Sequence, residues 1–159
     1  RTSNIRRLNR KYPGLHPGTQ RNYRASIAVY LDQSGSVSDS DLELLAGELE
    51  GLSHRAEFTL FNFDTEVDKD SERTIKQRSN IDLIRTRCGG TCFQCVQDHA
   101  NANAKRFDGY LVLTDGYAPA TSGHNKLKRG WVIVPTGDLQ FPHSSRDFMI
   151  KMTGKDANA

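Results

Sequence analysis

Three stretches of this chain are apolar on consecutive rather than alternate residues: "SIAVYL" before Asp32, "YLVL" before Thr114 and Asp115, and "WVIVP" from Trp131. A strand with one wetted face alternates apolar and polar side chains; a strand buried on both faces need not. Between the first two runs lies "SDSDLELLAGELEGL". There Ser38 and Asp41 have capping-box spacing, and Leu42, Leu45, Ala46, Leu49 and Leu52 share one helical face. Further along, "AEFTLFNFD" reads as a strand, "ERTIKQ" as a short edge strand and "IDLIRTRCGGT" as a loop closing on a Gly-Gly pair. Residues from Cys92 to about Lys105 read as a second helix, with Phe93, Val96 and Ala100 inward. A short closing helix is expected from Ser144 to Met152. Buried strands alternating with helices predict an α/β fold, a mostly parallel sheet with helices on both faces.

Open sheets of that kind bind ligands beyond the carboxyl ends of their strands, where the strand order reverses. Asp32 and Asp115 both stand at such ends. Asp32 opens "DQSGS", which sets Asp32, Ser34 and Ser36 at alternate positions. All three carry hard oxygen donors, suited to magnesium, manganese or calcium. Each residue also has a plain reading as a loop hydroxyl or turn former, and Thr91 one as a helix N-cap. Their coincidence at strand ends favours a metal site.

The formal charge of +3 over 159 residues hides an asymmetry. Residues 1–24 hold seven Arg and Lys and no acid, which leaves 15 basic against 19 acidic side chains, or −4, for residues 25–159. Residues 1–24 therefore read as a basic arm or linker from an upstream region, 25–152 as the domain, and 153–159 as a tail. The arm could touch nucleic acid, with Tyr12 and Tyr23 to stack; a solvated linker is the preferred reading. No apolar run approaches the roughly 20 residues that span a bilayer, so no membrane contact is expected. The chain begins at Arg1 without a signal peptide, as a piece of something longer would. Cys88, Cys92 and Cys95 are odd in number and crowded, unlike a secreted disulfide framework, which predicts a cytoplasmic setting. With His99 they give C-x3-C-x2-C-x3-H, a zinc-like set. Three of those ligands on one helix cannot readily surround a tetrahedral ion, and buried core thiols are the preferred reading.

Asp32-x-Ser34-x-Ser36, Thr91 after "CGG" and Asp115 in "TDG" together resemble the metal-ion-dependent adhesion site (MIDAS) of von Willebrand factor A-type (VWA) domains, in all five positions and in chain order. The resemblance covers roughly residues 25–138. "FNFDTEV", "GGT" and "LTDG" are similar, more narrowly, to the C-terminal VWA-like domain of a bacterial family whose upstream part is metallopeptidase-like. In that family an Asp often follows the Gly-Gly-Thr, where this chain has Cys92, and no His-Glu-x-x-His motif occurs here.

The resemblance implies a Rossmann-like VWA fold and a divalent cation, Mg2+ or Mn2+ ahead of Ca2+. Ser34 and Ser36 would bind it directly, Thr91 directly or through water, and Asp32 and Asp115 mostly through water. Asp64, Gly90 and Tyr117 would form the rim. Neutral hydroxyl ligands leave the ion under-compensated, so its open position would select a carboxylate of a protein partner. Families of this type often act beside AAA ATPases. The expected function is thus metal-dependent protein interaction rather than catalysis. The rivals are a phosphoesterase-like hydrolase using the same ion, for which Gln33 and Tyr117 are poor bases and His124 lies in a Gly-Ser loop that the sequence does not place, and a nucleic-acid module acting through the arm.

Overall fold

A computed structural model describes residues 2–8, 17–20, 24–78, 81, 83, 85, 88–142 and 144–153. Eight strands and two helices are assigned among them. Strands β1 (Thr2–Leu8) and β2 (Pro17–Gln20) pair antiparallel in a sheet of their own, Thr2 opposite Gln20 and Asn4 opposite Gly18. The segment that reads as an arm without periodicity thus carries a ladder. Tyr12 and Tyr23, the stacking candidates, lie outside the described residues.

The main sheet contains β3 (Ile27–Asp32), β4 (Phe58–Phe63), β5 (Val67–Ile75), β6 (Gly109–Thr114), β7 (Lys128–Ile133) and β8 (Phe148–Lys151), in the order β5-β4-β3-β6-β7-β8. All neighbours run parallel except the β4–β5 hairpin at one edge. After β3 the chain steps outward to β4 and β5, then returns to the other side of β3 as β6. The order therefore reverses between β3 and β6, whose carboxyl ends carry Asp32 and Asp115.

Helix α1 (Asp39–Ser53) starts at the Ser38 cap, whose hydroxyl accepts from the Asp41 N–H at 3.1 Å. It buries Leu42, Leu45 and Leu49 against Val29, Leu31, Leu60 and Leu113 on one sheet face. Helix α2 (Phe93–Ala102) covers the opposite face, setting Phe93, Val96 and Ala100 among Tyr30, Phe61, Phe63, Tyr110 and Trp131. Consecutive residues of β3 thus enter different cores, which explains the absence of alternation. Each fully buried large apolar side chain contributes roughly 1.5–3 kcal/mol.

The closing segment corrects one expectation. Where the sequence suggests a helix over Ser144–Met152, residues Phe148–Lys151 form a strand parallel to β7, from Gly130 opposite Phe148 to Ile133 opposite Lys151. Two partners far back in the sequence draw it there. The Phe148 ring occupies the space a side chain at Gly130 would fill: an added Cβ would fall 2.2 Å from it. Just before the strand, Asp147 accepts from Arg129 Nε at 2.9 Å and Nη2 at 2.6 Å, and from Trp131 Nε1 at 3.2 Å. Arg129 also donates to Gln97 and Thr121. This ion pair is buried, with side chains 8% and 3% exposed. Removing one partner of such a pair strands the other charge. Asp147→Ala should therefore cost about 3–5 kcal/mol in urea unfolding, and Arg129→Met with Asp147→Leu should recover much of it. A loss under about 1 kcal/mol in the single variant would show that the pair does not anchor β8.

Candidate metal centre

Asp32 is the last residue of β3 and is fully buried. One carboxylate oxygen, Oδ1, accepts the Ser34 N–H at 2.9 Å, which curls the chain back toward the strand end. The other, Oδ2, accepts the Thr114 hydroxyl at 2.5 Å. That hydroxyl also reaches Asp115 Oδ1 at 3.4 Å and accepts the Gly116 N–H at 3.1 Å. Thr114 therefore ties the two acids together across the switch point.

Asp115 is 2% exposed. Its Oδ1 accepts the Tyr117 N–H at 3.3 Å, whereas its Oδ2 is buried without a hydrogen-bond partner in the structure. Burial pushes the Asp32 carboxyl above the usual carboxylate range; the bonds from Thr114 and Ser34 oppose that rise, and the charge of Asp115 adds to it. Among the causes acting on Asp32 from the described residues, none is a positive charge, and Asp115 adds a like one.

Hydroxyls stand beside them. Ser34, nearly fully buried, and Ser36, exposed, have their Oγ atoms 3.0 Å apart. Arg85 holds this loop from outside: Nη1 donates to the Ser34 carbonyl at 3.1 Å, Nη2 donates to the Val37 carbonyl, and Nη2 pairs with Asp39 at 3.4 Å. Thr91 lies on a third loop, fastened on both sides. The Gly35 N–H donates to the Gly89 carbonyl at 3.1 Å, and the Cys92 N–H donates to the Asp64 carbonyl at 2.8 Å. Asp64, buried after β4, sits so close that a Cβ at Gly89 would fall 2.9 Å from its Oδ2. The rim residue Gly90 faces Thr65, and the half-exposed Tyr117 donates from its hydroxyl to the Thr136 carbonyl at 3.3 Å.

The Asp115 loop is locked backbone to backbone against residues 137 and 138. The Asp138 N–H donates to the Asp115 carbonyl at 2.9 Å. A Cβ at Gly116, whose φ is +86°, would fall 2.4 Å from the Asp138 carbonyl oxygen; one at Gly137 would fall 2.2 Å from that of Asp115. Only glycine fits at either position.

Of the five residues singled out by sequence, Asp32, Ser34, Ser36 and Asp115 are thus joined by contacts at the switch point, and Thr91 is carried by a loop bonded to that of Ser34. Thr114 and Arg85 were not anticipated. Thr114 had a signal in its place directly before a strand-end acid; Arg85 had none beyond its charge. This donor set, hydroxyls plus a buried carboxylate oxygen lacking a partner, fits a hard divalent cation. Among the described residues, no group of three or more His, Cys, Asp and Glu side chains is arranged to hold a metal ion, so a cation here would depend on the hydroxyls as well as on Asp32 and Asp115. His99, of the zinc-like spacing, instead shares a 2.8 Å hydrogen bond with the Tyr30 hydroxyl through Nδ1 and stands edge-on to Phe61. Burial, with Lys69 nearby, lowers its pKa.

A mostly parallel sheet with its order reversing between two acid-tipped strands, and helices on both faces, is the architecture of VWA-type domains. Residues 27–150 match a family model described as VWA-like domain (DUF2201), and the chain belongs to that family. An uncharacterized protein of Thermotoga maritima is 31% identical over 153 residues, which cover 95% of this chain and 36% of that protein. The chain thus spans about a third of that relative's length. Among solved structures, an aerotolerance-related membrane protein from Bacteroides fragilis superposes with a TM-score of 0.55 at 12% identity, covering 81% of this chain and 92% of that one. BatB from Bacteroides thetaiotaomicron gives 0.54 at 11%, covering 80% and 90%. The ArnB paralog VWA2 from Sulfolobus acidocaldarius gives 0.52 at 12%, covering 74% and 37%. VWA-like domains are usually interaction modules rather than enzymes. Among the described residues no helix is long and apolar enough to cross a membrane.

The raised Asp32 pKa has a definite sign. The folded, metal-free protein holds this proton more tightly than the unfolded chain. Its contribution to stability is therefore present below the ordinary carboxylate value and is lost as pH rises through the folded one. Asp32→Asn should raise the stability of metal-free protein at pH 7 and flatten its decline across the acid range, read from urea unfolding at several pH values. Lower stability of the variant at pH 7 would show that the acid is compensated without a cation.

Proposed function

We propose that this domain binds a divalent cation, Mg2+ or Mn2+, in the crevice between β3 and β6, and uses it to capture an acidic side chain of a partner protein. The observation that carries the reading is the buried, unpartnered Asp115 Oδ2 beside Asp32, Ser34 and Ser36 at the point where the sheet order reverses. Ser34, Ser36 and Thr91 would supply neutral oxygens, and Asp32 and Asp115 would hold coordinated waters. An ion held this way keeps much of its positive charge and accepts an anionic oxygen. The net −4 of residues 25–159 would otherwise repel an acidic surface, so the attraction is local to the ion. A protein able to offer such a side chain, an AAA ATPase among the candidates, is the expected partner class.

Binding is favoured over hydrolysis because the crevice acids Asp32 and Asp115 are committed to the ion's waters in this reading, and the other candidate bases are poorly placed. His124 is exposed, and its carbonyl accepts from Asn101 near the C-terminal end of α2, whereas Thr91 and the crevice lie at that helix's N-terminus. Gln33 is buried, its N–H donating to the Phe63 carbonyl at 2.8 Å. A longer parent protein, on the scale of the Thermotoga relative, leaves room for an upstream part with its own chemistry.

Two measurements test the proposal. Magnesium at about a hundredfold excess over its Kd should stabilise the protein by about 2.7 kcal/mol, and Ser34→Ala with Ser36→Ala should abolish that gain. Partner capture in magnesium should disappear with a chelator and survive deletion of residues 1–24. Capture that persists in chelator but vanishes with the deletion would assign binding to the basic segment instead.

A further inference from the structure

The metal reading leaves the cysteines without a role. Cys92 and Cys95 lie three positions apart at the start of α2, both as free thiols and, contrary to the expectation of buried core thiols, both partly accessible. Cys92 is the N-cap, its backbone extended at φ −130° and ψ 98°. Its sulfur receives the Cys95 N–H at 3.4 Å, while Cys95 Sγ donates to the Cys92 carbonyl at 2.8 Å and reaches the Thr65 carbonyl at 3.4 Å. Each thiol thus touches the other residue's backbone. The Cys92 N–H is pinned to the Asp64 carbonyl, so the turn that sets Cys95 against Cys92 is held by the fold.

We propose that Cys92 and Cys95 are a thiol–disulfide exchange pair, which closes to an intrachain disulfide at the expense of a disulfide-bearing small molecule or protein. The proposal does not depend on a cation in the crevice. Cys92 is assigned as the attacking sulfur because it is the partly accessible N-cap of α2, whereas Cys95 Sγ is engaged by the Cys92 and Thr65 carbonyls. It attacks one sulfur of RS–SR; the S–S bond breaks, one RSH leaves with the Cys92 proton, and a Cys92–S–S–R mixed disulfide remains. Cys95 then attacks the Cys92 sulfur and releases the second RSH. Two electrons pass from the dithiol to the substrate disulfide, and both thiol protons leave on the two RSH products. Cys95 suits the second step: burial and the neighbouring Cys92 push its thiol up to about 12, so it stays protonated until the mixed disulfide forms beside it. Cys88 is exposed on the far side of the Gly-Gly pair, next to Gly35, and stands outside the couple. The advantage over a lone thiol is proximity, since the second step is intramolecular.

The test uses the full chain, reduced and then equilibrated in mixtures of reduced and oxidised glutathione. The samples are acid-quenched, alkylated with a maleimide and mapped by peptide mass. Wild-type protein should lose two alkylatable thiols together, with Cys92 and Cys95 recovered as one disulfide, under conditions where Cys88 stays alkylatable. Cys95→Ser should stop at a glutathione adduct on Cys92. Cys92→Ser should form no internal disulfide, and its Cys95 should react with oxidised glutathione at least tenfold more slowly than Cys92 does. Three thiols remaining alkylatable in every mixture would overturn the proposal without any variant being made. So would a disulfide that includes Cys88, or a Cys95→Ser protein carrying glutathione on Cys88 alone.

Discussion

One hydroxyl, that of Thr114, holds two buried carboxylates at the meeting point of β3 and β6. The rest of the crevice is arranged around that contact. Asp32 cannot turn outward without abandoning Thr114 and the Ser34 N–H, so the Ser34–Ser36 loop is folded back over the strand end. Asp115 cannot turn outward either, because Tyr117 and Gly116 fix the loop behind it. Burying two like charges is costly without a counter-charge. The cation proposed for the crevice would supply that counter-charge at the point where α/β sheets bind ligands.

The sheet faces are built differently on its two sides. Toward α1 the core is mainly aliphatic, with Leu31, Leu45, Leu49 and Leu60. Toward α2 it is aromatic, with Tyr30 stacked on Phe61 at 5.3 Å and Phe93 edge-on to Trp131 at 4.9 Å. The aromatic side carries the polar handles that bind the periphery: Tyr30 to His99, and Trp131 to the Arg129–Asp147 pair. Those two links join α2 and β8 to the central strands, and α2 in turn carries the loop of Thr91.

Much of this was legible in the chain because the signals were local. Consecutive apolar residues marked β3, β6 and β7 as doubly buried, and the leucines of α1 repeat on one face. The acids at the ends of β3 and β6 placed the crevice once the strand order put those strands side by side. What could not be read depended on pairing across long separations. Phe148–Lys151 has no strand signature that outweighs a helical reading until Gly130 offers its ring a place and Arg129 takes Asp147. The β1–β2 ladder lies in a segment whose proline-glycine breaks looked like linker. Thr114 was passed over because a threonine at the end of a buried strand is ordinary. Only the register of β3 against β6 brings its hydroxyl to Asp32.

The glycine lock behind Asp115 bears on how the crevice can move. Gly116 packs on the Asp138 backbone and Gly137 on that of Asp115 with no side chain between, so the loop ending β6 has no slack. The Ser34–Ser36 loop differs: Ser36 is exposed, and the loop is held from outside by hydrogen bonds from Arg85 and to the Gly89 carbonyl. Any opening or tightening of the crevice would thus fall on the serine side, against a fixed Asp115. Arg85 spans that loop and the acid Asp39 at the start of α1. A displacement of the serines would accordingly be passed to the first turn of that helix, giving the domain a mechanical line from its crevice to its flank.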